Sequence, residues 1–162
     1  MVDPYDVIAV LTADHRLIDE LLERLDAEDR PAEMQRLFLR IAGELAAHEA
    51  AEHDVVFPVA LAAIPVGDHQ IRDAITGHDE VNLLLAEMLR LDPAGFGFLK
   101  RAGALIVGLQ SHFSAEEELL FPRLRAVLSL GQRNELATRV RMAKRAAPVF
   151  PTARRRPMAA SA

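Results

Sequence analysis

Apolar residues recur at steps of three and four along most of the chain. The first stripe runs Ile8, Leu11, His15, Ile18, Leu22 and Leu25, a period that buries one face of an α-helix. It predicts a helix over about 4 to 27, opened by Asp3-Pro4 as N-cap acid and first-turn proline. A second stripe, Phe38, Ile41, Leu45, His48, Glu52, Val55 and Val59, predicts a helix over about 32 to 62. Pro65-Val66-Gly67 then breaks the chain. Ile71, Ile75, His78, Asn82, Leu85 and Leu89 mark a third helix. Asp92-Pro93 repeats the start signal for a fourth, which runs through Ala102, Leu105, Leu109, His112, Glu116 and Leu119 to about residue 129. No stretch reads as a strand, so the class is all-α, and short connections favour an up-down-up-down four-helix bundle over residues 1–130. Pro58 and Pro122 fall in late helical turns and predict kinks or early endings. Residues 131–146 read as a short C-terminal helix. Residues 147–162, with Pro148, Pro151, Pro157 and three arginines, read as a disordered basic tail.

A chain of 162 residues fits one domain with a sizeable core. No apolar run approaches the ~20 residues of a membrane span. The start, Met-Val-Asp-Pro-Tyr-Asp, lacks the features of a secretory signal, so the expected location is the cytoplasm. There is no cysteine. That excludes disulfides and thiolate metal sites and leaves nitrogen and oxygen as the only metal donors. The formal charge is -5, and Arg154, Arg155 and Arg156 concentrate positive charge in the tail. An acidic body argues against a nucleic-acid-binding one.

The polar members of the stripes carry the chemistry. His15 precedes His48-x3-Glu52, and His78 precedes His112-x3-Glu116, with the second set 63 or 64 residues after the first. Phe57-Pro58 and Phe121-Pro122 follow at the same offset, so the pattern reads as an internal duplication. In an up-down-up-down bundle all four helices bring these residues to one depth, ~15–21 Å from a common end at ~1.5 Å per residue. A single His-x3-Glu is ordinarily a surface pair worth a few tenths of a kcal/mol, and a lone seam histidine is ordinarily a hydrogen-bonded core residue. Two of each in one apolar layer are different, because buried carboxylates and imidazoles are costly unless something pairs with them. One or two dications would do so. By rotation on the 3.6-residue period, Glu117 and Glu118 (~140° and ~120° from His112) belong to a solvated face. His53 and His69 (~140° and ~180° off) read as surface residues on the same period. His48-Glu49-Ala50-Ala51-Glu52 lacks the second histidine of a zincin motif, and the i, i+4 order of His and Glu differs from the Glu-x-x-His of ferritin-like carboxylate bundles.

These residues resemble the hemerythrin-like family of His-His-Glu cation-binding domains over about residues 4 to 128. The resemblance implies a four-helix bundle holding two non-haem iron ions, with Glu52 and Glu116 as bridging carboxylates, an oxo or hydroxo bridge, and His15, His48, His78 and His112 as terminal ligands. Oxygen-carrying hemerythrins have a fifth histidine, a turn from the one matching His78. Val81 and Asn82 stand there instead. Four histidines, two bridging glutamates and one bridging oxygen leave two positions open on a pair of six-coordinate irons, or one if Glu49 also binds, as the matching acid does in some members. Glu49 lies ~100° around the helix from His48 and can reach from the flank. Asn82 either donates to a bound oxygen species or is satisfied by neighbouring backbone.

Imidazole and carboxylate suit iron, although ligand type alone admits manganese or zinc. The expected function is a soluble di-iron protein that binds and reacts with O2 or H2O2, with catalase-like turnover permitted by the resemblance. The alternatives are a module that senses or carries O2, iron or nitric oxide without turnover, and a bundle whose metal serves folding alone.

Overall fold

A computed structural model of the chain describes residues 5–64 and 68–151. Asp3-Pro4, Pro65-Val66-Gly67 and the three tail arginines lie outside them. In order, the elements are α1 (Val7–Asp26), α2 (Pro31–Ala51), a π-helical turn π1 (Glu52–Val56), α3 (Phe57–Ala63), α4 (Asp68–Met88), α5 (Phe96–Ala115), a second π-helical turn π2 (Glu116–Leu120), α6 (Phe121–Val127) and α7 (Leu130–Ala146). The protein is all-helical among the described residues, and α2-π1-α3 and α5-π2-α6 each act as one long bundle helix.

Capping residues set the boundaries. The Asp6 side chain accepts from the Ile8 N–H at 2.9 Å, so α1 starts three residues later than Asp3-Pro4 suggested. Asp92 does cap a turn, accepting from the Ala94 N–H at 3.0 Å, but α5 itself begins after Gly95. Ser129 and Gln132 form a reciprocal capping box, which starts α7 at Leu130. This last helix buries Leu136, Ala137 and Val140 against the bundle, and its Arg133 holds Asp6 at 2.8 Å. The stretch after it packs too, with Phe150 against the core and Pro151 buried, so the expected disorder does not begin at residue 147.

The two prolines neither end nor break their helices. Each stands in the first turn of the α-helix that follows a π turn, where its missing N–H is tolerated. The π turn carries one extra residue between the ligand pair and the proline, closed by Phe57 N–H to the Glu52 carbonyl and by Phe121 N–H to the Glu116 carbonyl. That extra residue moves the buried seam one place along. Leu120 is therefore 1% exposed while Leu119, expected in the seam, is 52% exposed. Likewise Ala60 is fully buried and Val59 only half-buried. In α4 the seam ends on Met88, and Leu89 faces solvent.

The core is in two parts. One apolar cluster includes Leu11, Val55, Ala74 and Leu120; the other includes Ile18, Leu45, Val81 and Leu109. Along every bundle helix the residues between the two are the histidines and glutamates singled out above.

Candidate metal centre

All six repeated side chains are buried: His15 and Glu52 completely, His48, His78 and Glu116 nearly so, and His112 to nine-tenths. Their coordinating atoms converge as two groups. Glu52, His78, His112 and Glu116 form one, and His15, His48 and Glu116 the other, with the atoms of each group within 4.8 Å of one another. Glu116 belongs to both. Its Oε2 lies 3.2 Å from His15 Nε2 and its Oε1 lies 3.1 Å from His112 Nε2. Glu52 Oε2 stands between the groups as well, 3.2 Å from His78 Nε2 and 3.4 Å from His48 Nε2.

The fit of this layer to cations can be judged from the atoms it leaves unpaired. Both oxygens of Glu52, both of Glu116, and the Nε2 atoms of His15 and His48 are buried without a properly directed hydrogen bond. So many orphaned donor atoms in one apolar layer would cost several kcal/mol if nothing joined them. A bound metal cation, offered imidazole nitrogen and carboxylate oxygen, would satisfy them.

Electrostatics follows from the burial. Desolvation pushes the Glu52 carboxyl well above the usual carboxylate range, and the nearby charges of Glu116 and Glu49 add to the shift. Burial also opposes ionisation of Glu116, but the His112 and His15 imidazoles outweigh it and hold that carboxyl well below the usual range. His48 and His78 are depressed chiefly by burial, which keeps their rings neutral and able to coordinate.

Around the ligands stands a set of residues that rotation on a straight helix had assigned elsewhere. Glu117 is half-buried and not simply solvated: its Oε1 meets His15 Nδ1 at 2.8 Å, and Arg16 Nη2 donates to its other oxygen at 2.5 Å. His53 is half-buried as well, and its Nε2 lies 3.0 Å from His78 Nδ1. Both positions follow a glutamate of the buried layer and face the neighbouring helix, a direction that rotation about their own axis does not reveal. Asp14 Oδ2 lies 3.4 Å from His48 Nδ1, and Lys144 of α7 donates to its other oxygen. Gly77 lies against His112, where a Cβ would come 2.9 Å from Nδ1. Glu118 and His69 are exposed, as expected.

The duplicated phenylalanines have a shared task. Phe121 lies nearly parallel to the His15 ring at 5.7 Å, and Phe57 to the His78 ring at 5.8 Å. Phe113 stacks more closely on His15, at 4.1 Å. Glu49 is buried but outside both groups of ligand atoms, and its Oε2 accepts from Asn82 Nδ2 at 2.9 Å. Asn82 therefore meets a carboxylate, which neither of the two roles expected for it included.

Comparisons with known proteins agree with this geometry. The family model of the hemerythrin HHE cation-binding domain matches residues 6–124. A crystal structure of a hemerythrin HHE cation-binding domain protein from Mycobacterium kansasii superposes with a TM-score of 0.74, covering 90% of each chain at 24% identity. A curated protein from Nostoc sp., named a DNA nickase, is 29% identical over 135 residues. The match takes in 83% of the present chain but only 38% of that protein's length. No helix among the described residues is long and apolar enough to cross a membrane.

Proposed function

Because the chain belongs to the hemerythrin HHE cation-binding family, we propose that its centre holds two non-haem iron ions and reacts with O2 or H2O2, with catalase-like breakdown of H2O2 as the activity. The observation that carries this reading is the division of Glu116, one carboxylate oxygen toward His15 and the other toward His112. A carboxylate so placed suits a pair of cations better than one. His15, His48, His78 and His112 would be the terminal ligands, and Glu52 and Glu116 the bridging ones. The chemistry that a bound pair would supply there is a reversible change of redox state.

The chain's own residues shape what reaches that pair. Burial keeps His48 and His78 neutral, so each can offer a ring nitrogen to a cation. The two apolar clusters above and below limit water, which strengthens every charge interaction inside. A shallow groove lined by Arg16, Asp19, Gln110, Phe113, Ser114, Glu117 and Glu118 lies beside His15. Phe113 and Glu117 both touch that ring, so a small molecule in the groove is one side chain from the centre. Asn82, at the place of the fifth histidine of oxygen carriers, is occupied with Glu49. This favours reactivity over simple carriage. The nickase name is no guide here, since that protein is much longer and this chain carries a net charge of -5.

The test is to load the purified protein with iron, measure iron per chain, and follow O2 release after addition of H2O2. Two irons with sustained O2 release are expected. Reversible O2 binding without turnover would replace this reading with a carrier or sensor, and absence of bound iron would refute both.

A further inference from the structure

The duplication places equivalent residues behind the two halves of the centre, and those residues have diverged. Asp14 and Gly77 each precede the lone histidine of their repeat, and His53 and Glu117 each follow the ligating glutamate. Every one of the four lies against a ligand histidine's Nδ1. Behind His48 is the Asp14 carboxylate and behind His15 the Glu117 carboxylate. Behind His78 is the His53 imidazole, and behind His112 only Gly77, which brings no side chain. Both carboxylates thus fall on one half. Arg16 and Lys144 hold them in place through their outer oxygens.

A ring that gives Nε2 to a cation must carry its proton on Nδ1, where a flanking group can accept it. A carboxylate accepting that proton fixes the ring and makes Nε2 a stronger donor than a neutral acceptor does, and losing such a partner commonly weakens metal binding by about 10–100-fold. Glu116 gives one oxygen to each half; Glu52 groups with His78 and His112, but its Oε2 lies 3.4 Å from His48 Nε2 against 3.2 Å from His78 Nε2, so the Nδ1 partners are what distinguishes the His15 and His48 half.

We propose that the two cation positions are unequal, with Asp14 and Glu117 as positioning residues that make the His15, His48 and Glu116 position the tighter one. The inference rests on the two-cation reading above, but not on any reaction with O2 or H2O2.

The experiment is a calorimetric titration of the metal-free full chain with Zn(II), which has no redox chemistry, repeated with Co(II) while recording visible spectra. Wild type should take two ions in steps separated by at least about tenfold. Asp14→Asn and Glu117→Gln keep the side-chain shape, and each should weaken the tight step by about 10–100-fold while leaving the weak step in place. Only the Co(II) bands of the first equivalent should change. Glu118→Gln, in the exposed neighbouring position, should alter neither step. Indistinguishable steps in wild type, equal weakening of both steps in the two variants, or fewer than two bound ions would overturn the proposal. Two unequal Zn(II) steps in a protein that leaves O2 and H2O2 untouched would instead refute the proposed activity and leave this inference standing.

Discussion

Gly77 lies so close to His112 that a Cβ at position 77 would come 2.9 Å from the ring Nδ1. Real Cβ contacts do not approach that far, so any side chain there must displace the ring. Gly77→Ala is expected to destabilise the metal-free fold by about 1–3 kcal/mol, the usual cost of overpacking. It should also lower iron per chain, because His112 moves off the Glu116 oxygen. Wild-type iron content in this variant, measured by elemental analysis, would count against His112 as a ligand.

The ligand assignment has a direct contrast in two histidines. His112 contributes to a buried group of donor atoms, whereas His69 is exposed at the start of α4. His112→Ala should lose iron, and by removing an imidazole beside Glu116 it should also destabilise the fold by a few kcal/mol, as unpaired buried charges do. His69→Ala should retain wild-type iron and stability. Equal iron in the two variants would refute the assignment.

Acid should weaken cation binding through Glu52. Burial, with the neighbouring Glu116 charge, raises the Glu52 carboxyl above its ordinary value of 4.5 in the metal-free fold. A ligating carboxylate must be deprotonated, so loading has to displace that proton whenever the pH lies below the raised value. Affinity therefore falls as the pH is lowered through that window. An indicator dye in weakly buffered solution should record proton release on addition of Zn(II). In Glu52→Gln the Glu52 share of that release should vanish, and an unchanged release would show that the proton comes from elsewhere.

Removing the cations should cost stability in proportion to how tightly they were held. Free metal at about 100 times the dissociation constant contributes about 2.7 kcal/mol per site. A chelated sample should melt below the loaded one, and back-titration should restore the midpoint. Coincident melting curves would mean that the orphaned atoms of Glu52 and Glu116 are satisfied in some other way.

Much of this was legible because the stripes are long and regular. Ile8 to Leu25 are buried as the three-and-four spacing predicts, and His15 in their midst is completely buried. The six repeated side chains converge for the same reason. What escaped the reading depends on one local departure and on relations between helices. The π turns shift the seam from Leu119 to Leu120, and helical periodicity carries no warning of an inserted residue. Glu117 and His53 face histidines on other helices, which a calculation around one axis cannot register. The duplication did hold a usable sign, since positions 14 and 77, and 53 and 117, correspond. Reading the flanking residues of the repeat, and not its ligands alone, would have singled them out.

The division of the core by its polar layer bears on how the molecule holds together. Without cations the two apolar clusters meet across a layer in which both oxygens of Glu52 and both of Glu116 lack a directed hydrogen bond, so that layer is the weak part of the core. Bound cations would act as a keystone there, and the cooperativity of unfolding would then be a property of the loaded protein more than of the chain. In the metal-free state the two ends should loosen separately. Amide hydrogen exchange would show this as two protected blocks, above and below the ligands, that fuse into one when metal is added.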